Sequence, residues 1–183
     1  ARKVSLAQKP LVKAEIDDML RKGIIERVVN RTTEWCHPLV VAPKPEGGIR
    51  LTVDLTKLNA QVQRTVHCAP SPAEIVADRR PDAKYWTTLD AKTGYWQVPL
   101  AEESRDYTVF ICEWGRFRYC RSPQGFINSG DAYNYRGDRA IEGIEHVRKI
   151  VDDIIAEDVD LAEHFDRVCA VLDRCRQFRI TLN

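Results

Sequence analysis

The run Ile150-Val151-Asp152-Asp153-Ile154-Ile155 sets two adjacent carboxylates inside four branched apolar residues. Val and Ile favour strands, so the run predicts a buried hairpin with its charges at the turn. Two like charges that close, poorly reached by water, raise each other's proton affinity or require a cation. A divalent metal with oxygen ligands is the economical answer. Asp17-Asp18 provides an internal contrast: around it Val12, Ile16, Met19 and Leu20 recur at helical spacing, which turns those acids to the wet face. One pair is ordinary helix surface; the other needs an explanation.

With 183 residues the chain is long enough for one well-buried domain with two lobes. Its 44% hydrophobic and 30% charged residues are ordinary for a globular protein. No repeat and no low-complexity tract is visible, and no apolar run approaches a membrane span. The start, Ala1-Arg2-Lys3-Val4-Ser5, lacks the apolar core of a secretory signal, so no membrane partner and no export are expected. A net charge of +1 neither requires nor excludes a polyanion. Any such partner must be met by local clusters, namely Lys44 with Arg50 around one turn, and Arg116, Arg118 and Arg121 along one strand. The six cysteines show neither C-x-x-C nor zinc-type spacing and read as reduced thiols in a reducing compartment.

Lys22-Gly23 is a good stop for the first helix, and Ile24-Ile25 begins a short strand. Pro38–Ala42 and Ile49–Val53 predict a β-hairpin with a flexible basic tip over 43–48. Ser71-Pro72-Ala73-Glu74 is a capping box. Lys84–Asp90 predicts a strand that ends on a carboxylate, and Tyr107–Cys112 with Arg116–Cys120 a second hairpin. A helix is expected over 128–141. Another follows Asp160, with Leu161, Phe165, Val168, Leu172 and Cys175 on its buried face. Hairpins interleaved with helices, without regular βαβ alternation, make the fold class α+β with an antiparallel sheet. No linker divides the chain into independent domains.

The acid pair needs a partner, and Asp90 is the best placed. A strand-terminal carboxylate beside a neighbouring turn's carboxylates can hold a pair of Mg²⁺ ions, which suits phosphoryl displacement. By spacing alone, a strand-end cap and a plain turn account for the same residues.

A series of segments in one order carries a family likeness. They are M-L-R-K-G-I-I-E at 19–26, H-P-L-V-V-A-P-K-P-E-G-G-I-R-L-T-V-D-L-T-K-L-N at 37–59, and L-D-A-K-T-G-Y-W-Q-V-P-L at 89–100. E-E-S-R-D-Y-T-V-F follows at 102–110, S-P-Q-G-F-I-N-S at 122–129, I-V-D-D-I-I at 150–155 and I-T-L-N at 180–183. The chain resembles the fingers and palm of a reverse transcriptase, nearest to gypsy-type long-terminal-repeat retrotransposons, with retrovirus-like touches. The resemblance implies fingers at about 1–63 and 98–127, and a palm at about 64–97 and 128–183 whose antiparallel sheet is backed by helices. It implies RNA-directed DNA polymerase activity on an RNA or DNA template with a primer, using dNTPs. Asp90, Asp152 and Asp153 would be the catalytic carboxylates binding two Mg²⁺ ions, with Mn²⁺ as an alternative. Tyr95 would stack under the incoming sugar, Arg50 and Lys44 would clamp the triphosphate, and Gln124 would contact the nucleotide or template. Arg116, Arg118 and Arg121 would track the nucleic-acid backbone. Cytoplasmic virus-like particles are the implied location.

Three departures stand out. Ile150 replaces the family's usual Tyr two positions before the first paired acid. Ser129-Gly130-Asp131 replaces a small residue followed by Pro. The sequence stops at Asn183, so the thumb, the connection and the RNase H region of a longer polyprotein are expected elsewhere, and the fragment alone is expected to be feeble. A decayed or domesticated copy that binds nucleic acid or a partner without catalysis is the alternative, and another two-metal palm enzyme, such as a nucleotide cyclase, is a distant third.

Overall fold

The computed structural model describes residues 3–45 and 47–183. Glu46, within the reversal predicted over 43–48, lies outside the described residues, as do Ala1 and Arg2 of the predicted start. In chain order the elements are α1 (Lys9–Arg21), β1 (Ile25–Arg27), β2 (His37–Pro43), β3 (Ile49–Val53), α2 (Thr56–Asn59), α3 (Pro72–Ala77) and β4 (Tyr85–Asp90). There follow α4 (Glu102–Arg105), β5 (Phe110–Cys112), β6 (Gly115–Tyr119), α5 (Ser129–Ile141), β7 (Val147–Ile150), β8 (Asp153–Asp158) and α6 (Leu161–Gln177). The chain divides into two compact units, Ala1–Arg64 with Val98–Ser129, and Thr65–Gln97 with Gly130–Asn183.

The first unit is built on a five-stranded sheet in the order β1-β6-β5-β2-β3, antiparallel except between β2 and β5. Helix α1 buries Val12, Ile16 and Met19, one face at helical spacing. Asp17 is paired to Lys13, and Asp18 to Arg21 and Lys22, so these acids are satisfied by their own helix and its cap. The helix stops at Gly23, whose φ of +64° lets Ile24 N bond back to Met19 O at 2.9 Å. The core centres on Phe110, stacked on Phe117 at 5.6 Å and tilted against Tyr119 at 5.7 Å. Burying each such ring contributes about 1.5–3 kcal/mol. The second predicted hairpin is present, but β5 begins at Phe110 rather than Tyr107. Residues 106–108 form a tight turn instead, in which Thr108 Oγ1 donates to Arg105 O and accepts from Tyr119 N. A side chain that satisfies backbone groups in this way competes with the ladder.

The second unit carries an antiparallel sheet in the order β4-β8-β7. The predicted capping box is present, with Ser71 and Glu74 bonded reciprocally, and Asp160 caps α6 by accepting from Ala162 N and Glu163 N. The predicted face of α6 holds only in part, with Cys175 buried and Val168 half-buried. Leu161, Phe165 and Leu172 are exposed, and the buried positions are His164, Val171 and Cys175. The cause is polar. Asp158 is completely buried at the end of β8, where it meets His164 Nδ1 at 2.9 Å and Arg167 Nε at 2.8 Å. His164 Nε2 lies 2.7 Å from Thr87 Oγ1 on β4. A buried carboxylate must be partnered, and supplying those partners rolls the helix away from its apolar stripe.

Candidate active site

Strand β4 ends on Asp90, which the ladder sets opposite Asp153, the first residue of β8; Asp153 also faces Ile150, the last residue of β7. Opposed residues in antiparallel strands share a face, so Asp90, Asp153 and Ile150 form one row. Thr87, three residues before Asp90, reaches α6, so by alternation the row lies on the opposite, open face.

Between β7 and β8 the chain reverses in two residues, Val151 and Asp152. Val151 has a φ of +52°, a conformation that hairpin turns normally assign to Gly. Holding a β-branched residue there costs about 1–3 kcal/mol and requires support from its surroundings. Ala91 N donates to Asp152 O at 2.9 Å, and the buried Lys149 Nζ donates to Val151 O at 3.3 Å. A hydrogen bond from a charged donor is worth about 1.5–3 kcal/mol, the same size as the strain.

Asp152 Oδ1 is buried and has no hydrogen-bond partner among the described residues. Burial raises the proton affinity of this carboxyl, the charges of Asp90 and Asp153 raise it further, and Lys149 offsets part of the rise. The carboxylate fits over Gly94 because nothing else would leave room: a Cβ there would lie 2.6 Å from Asp152 Oδ1 and 2.8 Å from Tyr133 Cζ. Gly94 opens a tight turn, Gly94–Gln97, that carries Tyr95, whose ring meets Tyr133 edge-on at 5.9 Å. Burial, followed by the Asp152 charge, pushes the Tyr95 hydroxyl up. Gln97 fastens this turn by donating to Lys92 O and Thr181 O and accepting from Thr181 N. Asn183 donates to Asp90 twice, from its side chain to Oδ2 and from its backbone to the carbonyl.

The structure therefore brings Asp90, Asp152, Asp153 and Tyr95 to one end of the second unit. Among the described residues, no three acidic, histidine or cysteine side chains already converge as a metal cage. The donor set nevertheless suits a hard divalent cation: it consists of carboxylate oxygens, one of them orphaned and buried, with the charges of two further acids acting on it.

The other candidates lie in the first unit. Arg50 is exposed on the face of β3 opposite Ile49, Leu51 and Val53, and Lys44 is exposed at the hairpin tip. Gly47 and Gly48, at φ +94° and +84°, make that reversal. Gln124 lies half-buried in a loop that Asn59 latches, donating to Gly125 O at 2.8 Å and accepting from Ile127 N at 3.0 Å. The arginine cluster needs correcting for Arg118. Its guanidinium is ion-paired to Glu26, Glu102 and Asp106 and its side chain is 14% exposed, so it is committed to the unit's own carboxylates. Arg116 differs in bonding to neutral acceptors, Thr33 Oγ1 and Arg31 O, which leave its charge uncompensated by them, while Arg121 is half-buried. Sequence reasoning missed Lys149, Gly94, Asn59 and Tyr133. A lysine inside a short strand leading to the acid pair was the available signal for the first.

Comparison with known proteins adds a further observation. The family model described as reverse transcriptase (RNA-dependent DNA polymerase) matches residues 42–183. The chain is 32% identical over 174 residues to the retrovirus-related Pol polyprotein from transposon gypsy of Drosophila melanogaster, covering 88% of this chain and 16% of that one. It is 29% identical over 160 residues to the Pro-Pol polyprotein of Simian foamy virus type 1, covering 87% and 14%. The chain thus spans less than a fifth of either polyprotein. The crystal structure of prototype foamy virus protease-reverse transcriptase superposes with a TM-score of 0.86 at 27% identity, covering 99% of this chain and 24% of that one. The foamy viral protease-reverse transcriptase in complex with RNA/DNA hybrid shares the fold, with a TM-score of 0.86 at 24% identity over 96% of this chain and 23% of that one.

Proposed function

Because the chain belongs to the reverse transcriptase (RNA-dependent DNA polymerase) family, we propose that it is the polymerase module of a retroelement polyprotein, with its first unit acting as fingers and its second as palm. The reaction is attack of a primer 3′-hydroxyl on the α-phosphorus of a dNTP, with release of pyrophosphate. The observation that carries this reading is the unpartnered, buried oxygen of Asp152, set in a strained turn beside Asp90 and Asp153. Asp90, Asp152 and Asp153 would hold two Mg²⁺ ions, which supply positive charge at the attacking and leaving oxygens.

The chain's own residues do the positioning. Gly94 leaves the space in which the Asp152 carboxylate sits, and Asn183 fixes that of Asp90. Tyr95, braced by Tyr133, offers a flat surface to the incoming sugar. Arg50 and Lys44 bring exposed cations to the triphosphate, and a guanidinium suits phosphate oxygens best. Gln124, on its latched loop, contacts nucleotide or template, while Arg121 and Arg116 remain the backbone-tracking candidates of the arginine cluster. Thumb, connection and RNase H regions belong to the rest of the polyprotein, which on this reading acts in cytoplasmic virus-like particles.

The test is primer extension on an RNA template by the polypeptide that carries this chain. Extension that depends on Mg²⁺ and is abolished by Asp152→Asn is expected; equal extension by the variant would remove the catalytic assignment. A second reading, binding of nucleic acid without turnover, is favoured by Ile150, which stands in the row with Asp153 where the family usually has Tyr. Tight template–primer binding with no incorporation at any Mg²⁺ concentration would select it.

A further inference from the structure

Lys149 is 6% exposed, an unusual state for an ammonium. Its aliphatic stem crosses α5 at Gly137, where a Cβ would lie 2.7 Å from both Cδ and Cε. Its Nζ donates to Asn134 Oδ1 at 2.9 Å and to Val151 O at 3.3 Å, and lies 3.2 Å from Asp138 Oδ1 and 5.8 Å from the centre of the Tyr133 ring. Asp138 is shared, since its other oxygen lies 2.5 Å from His67 Nε2.

A buried charge of this kind gives poor stability for what it costs; a hydrophobe of similar volume would often serve packing as well or better. What a hydrophobe could not do is donate to the carbonyl of Val151. That carbonyl belongs to the strained residue of the turn, and the next residue is Asp152. A glycine on α5 and a lysine on β7 thus combine to deliver one charged donor under the turn that carries the orphaned carboxylate. Resting on the polymerase reading above, we infer that Lys149 is a positioning residue for the reaction: through the Val151 carbonyl it holds the two-residue turn in the conformation that presents Asp152. It touches neither substrate nor reacting atoms.

The experiment uses the full polypeptide carrying this chain, with Lys149→Met and Gly137→Ala compared with the wild type. The second variant keeps the ammonium but obstructs its path, while alanine itself favours the helix. Mn²⁺ binding is read by electron paramagnetic resonance in the presence of template–primer, beside kcat and KM for dNTP incorporation and thermal melting. Groups that orient metal ligands typically govern affinity or activity by about 10- to 100-fold. Both variants should therefore weaken Mn²⁺ binding and lower kcat in that range, with the Kd for template–primer changed by less than about twofold. If Lys149→Met keeps Mn²⁺ affinity and kcat within about twofold of an active wild type, the inference fails while the polymerase reading stands. If it fails to fold, Lys149 serves the stability of the unit and the inference also fails. A wild type that neither extends primers nor binds Mn²⁺ would overturn both.

Discussion

Replacing Gly94 with Ala tests how closely the chemistry depends on packing at the acid cluster. The added methyl would sit 2.6 Å from Asp152 Oδ1 and 2.8 Å from Tyr133 Cζ, against an ordinary carbon contact of about 3.5–4.0 Å. Both contacts are too short, so each must lengthen by about 1 Å. Tyr133 is 2% exposed in the unit's interior and has little room to retreat, so the Gly94 turn shifts away from its ring and the carboxylate on its two-residue turn is displaced as well. A displacement of about 1 Å from productive geometry costs about 10²-fold in rate, or about 2.7 kcal/mol of transition-state stabilisation at 1.36 kcal/mol per decade. Overpacking costs about 1–3 kcal/mol of stability, which for a chain of this length lowers Tm by about 2–12 °C. Steady-state incorporation of one dNTP by the full polypeptide, measured below the melting range, should show kcat/KM falling about 10²-fold with template–primer affinity unchanged. Activity within about threefold of the wild type would refute the claim that this glycine positions the carboxylate.

Four further substitutions probe the same groups. Because the folded state raises the pKa of Asp152, that carboxyl favours folding at low pH and opposes it as pH rises through its folded value. Asp152→Asn should thus melt higher than the wild type at pH 7 without metal. The difference should vanish below about pH 4, the ordinary aspartate range, and Mg²⁺ should stabilise only the wild type; calorimetry across pH checks this. Burial would raise the Asp158 pKa, but hydrogen bonds from His164 and Arg167 hold it below the usual range, so its contribution is lost as pH falls through that depressed value. Removing it by Asp158→Ala strands His164 and Arg167 and should cost about 3–5 kcal/mol in urea unfolding. Arg118→Gln should lower stability and leave the salt dependence of template–primer binding as it is, whereas Arg50→Gln should raise the KM for dNTP by about 10- to 100-fold, the loss of one charge-assisted hydrogen bond.

Much of this architecture is legible in the residues, and the illegible part has a common cause. The hairpin that carries Asp152 follows from branched residues around a polar turn, Asp90 from the end of an apolar strand, and the helix termini at Gly23, Ser71 and Asp160 from capping chemistry. Apolar periodicity, however, counts only apolar side chains. It aimed α6 at Leu161, Phe165 and Leu172, whereas Asp158, His164 and Arg167 decide which face is buried. The resemblance carries Arg118 to the nucleic-acid backbone, and only the fold reveals the three carboxylates gathered around it from β1, α4 and the turn after α4. Lys149 and Gly137 lie on different elements, and their fit is a fact of packing that neither residue's neighbours in sequence announce.

On the polymerase reading, Asp90 and Asp152 share a cation during nucleotide transfer. The most direct measurement is anomalous scattering from Mn²⁺ in crystals of the polypeptide bound to template–primer and dNTP. A manganese peak within about 2.0–2.6 Å of carboxylate oxygens from both Asp90 and Asp152, the range for hard cations and oxygen ligands, is the predicted result. Manganese bound to the triphosphate with neither aspartate within reach would contradict it.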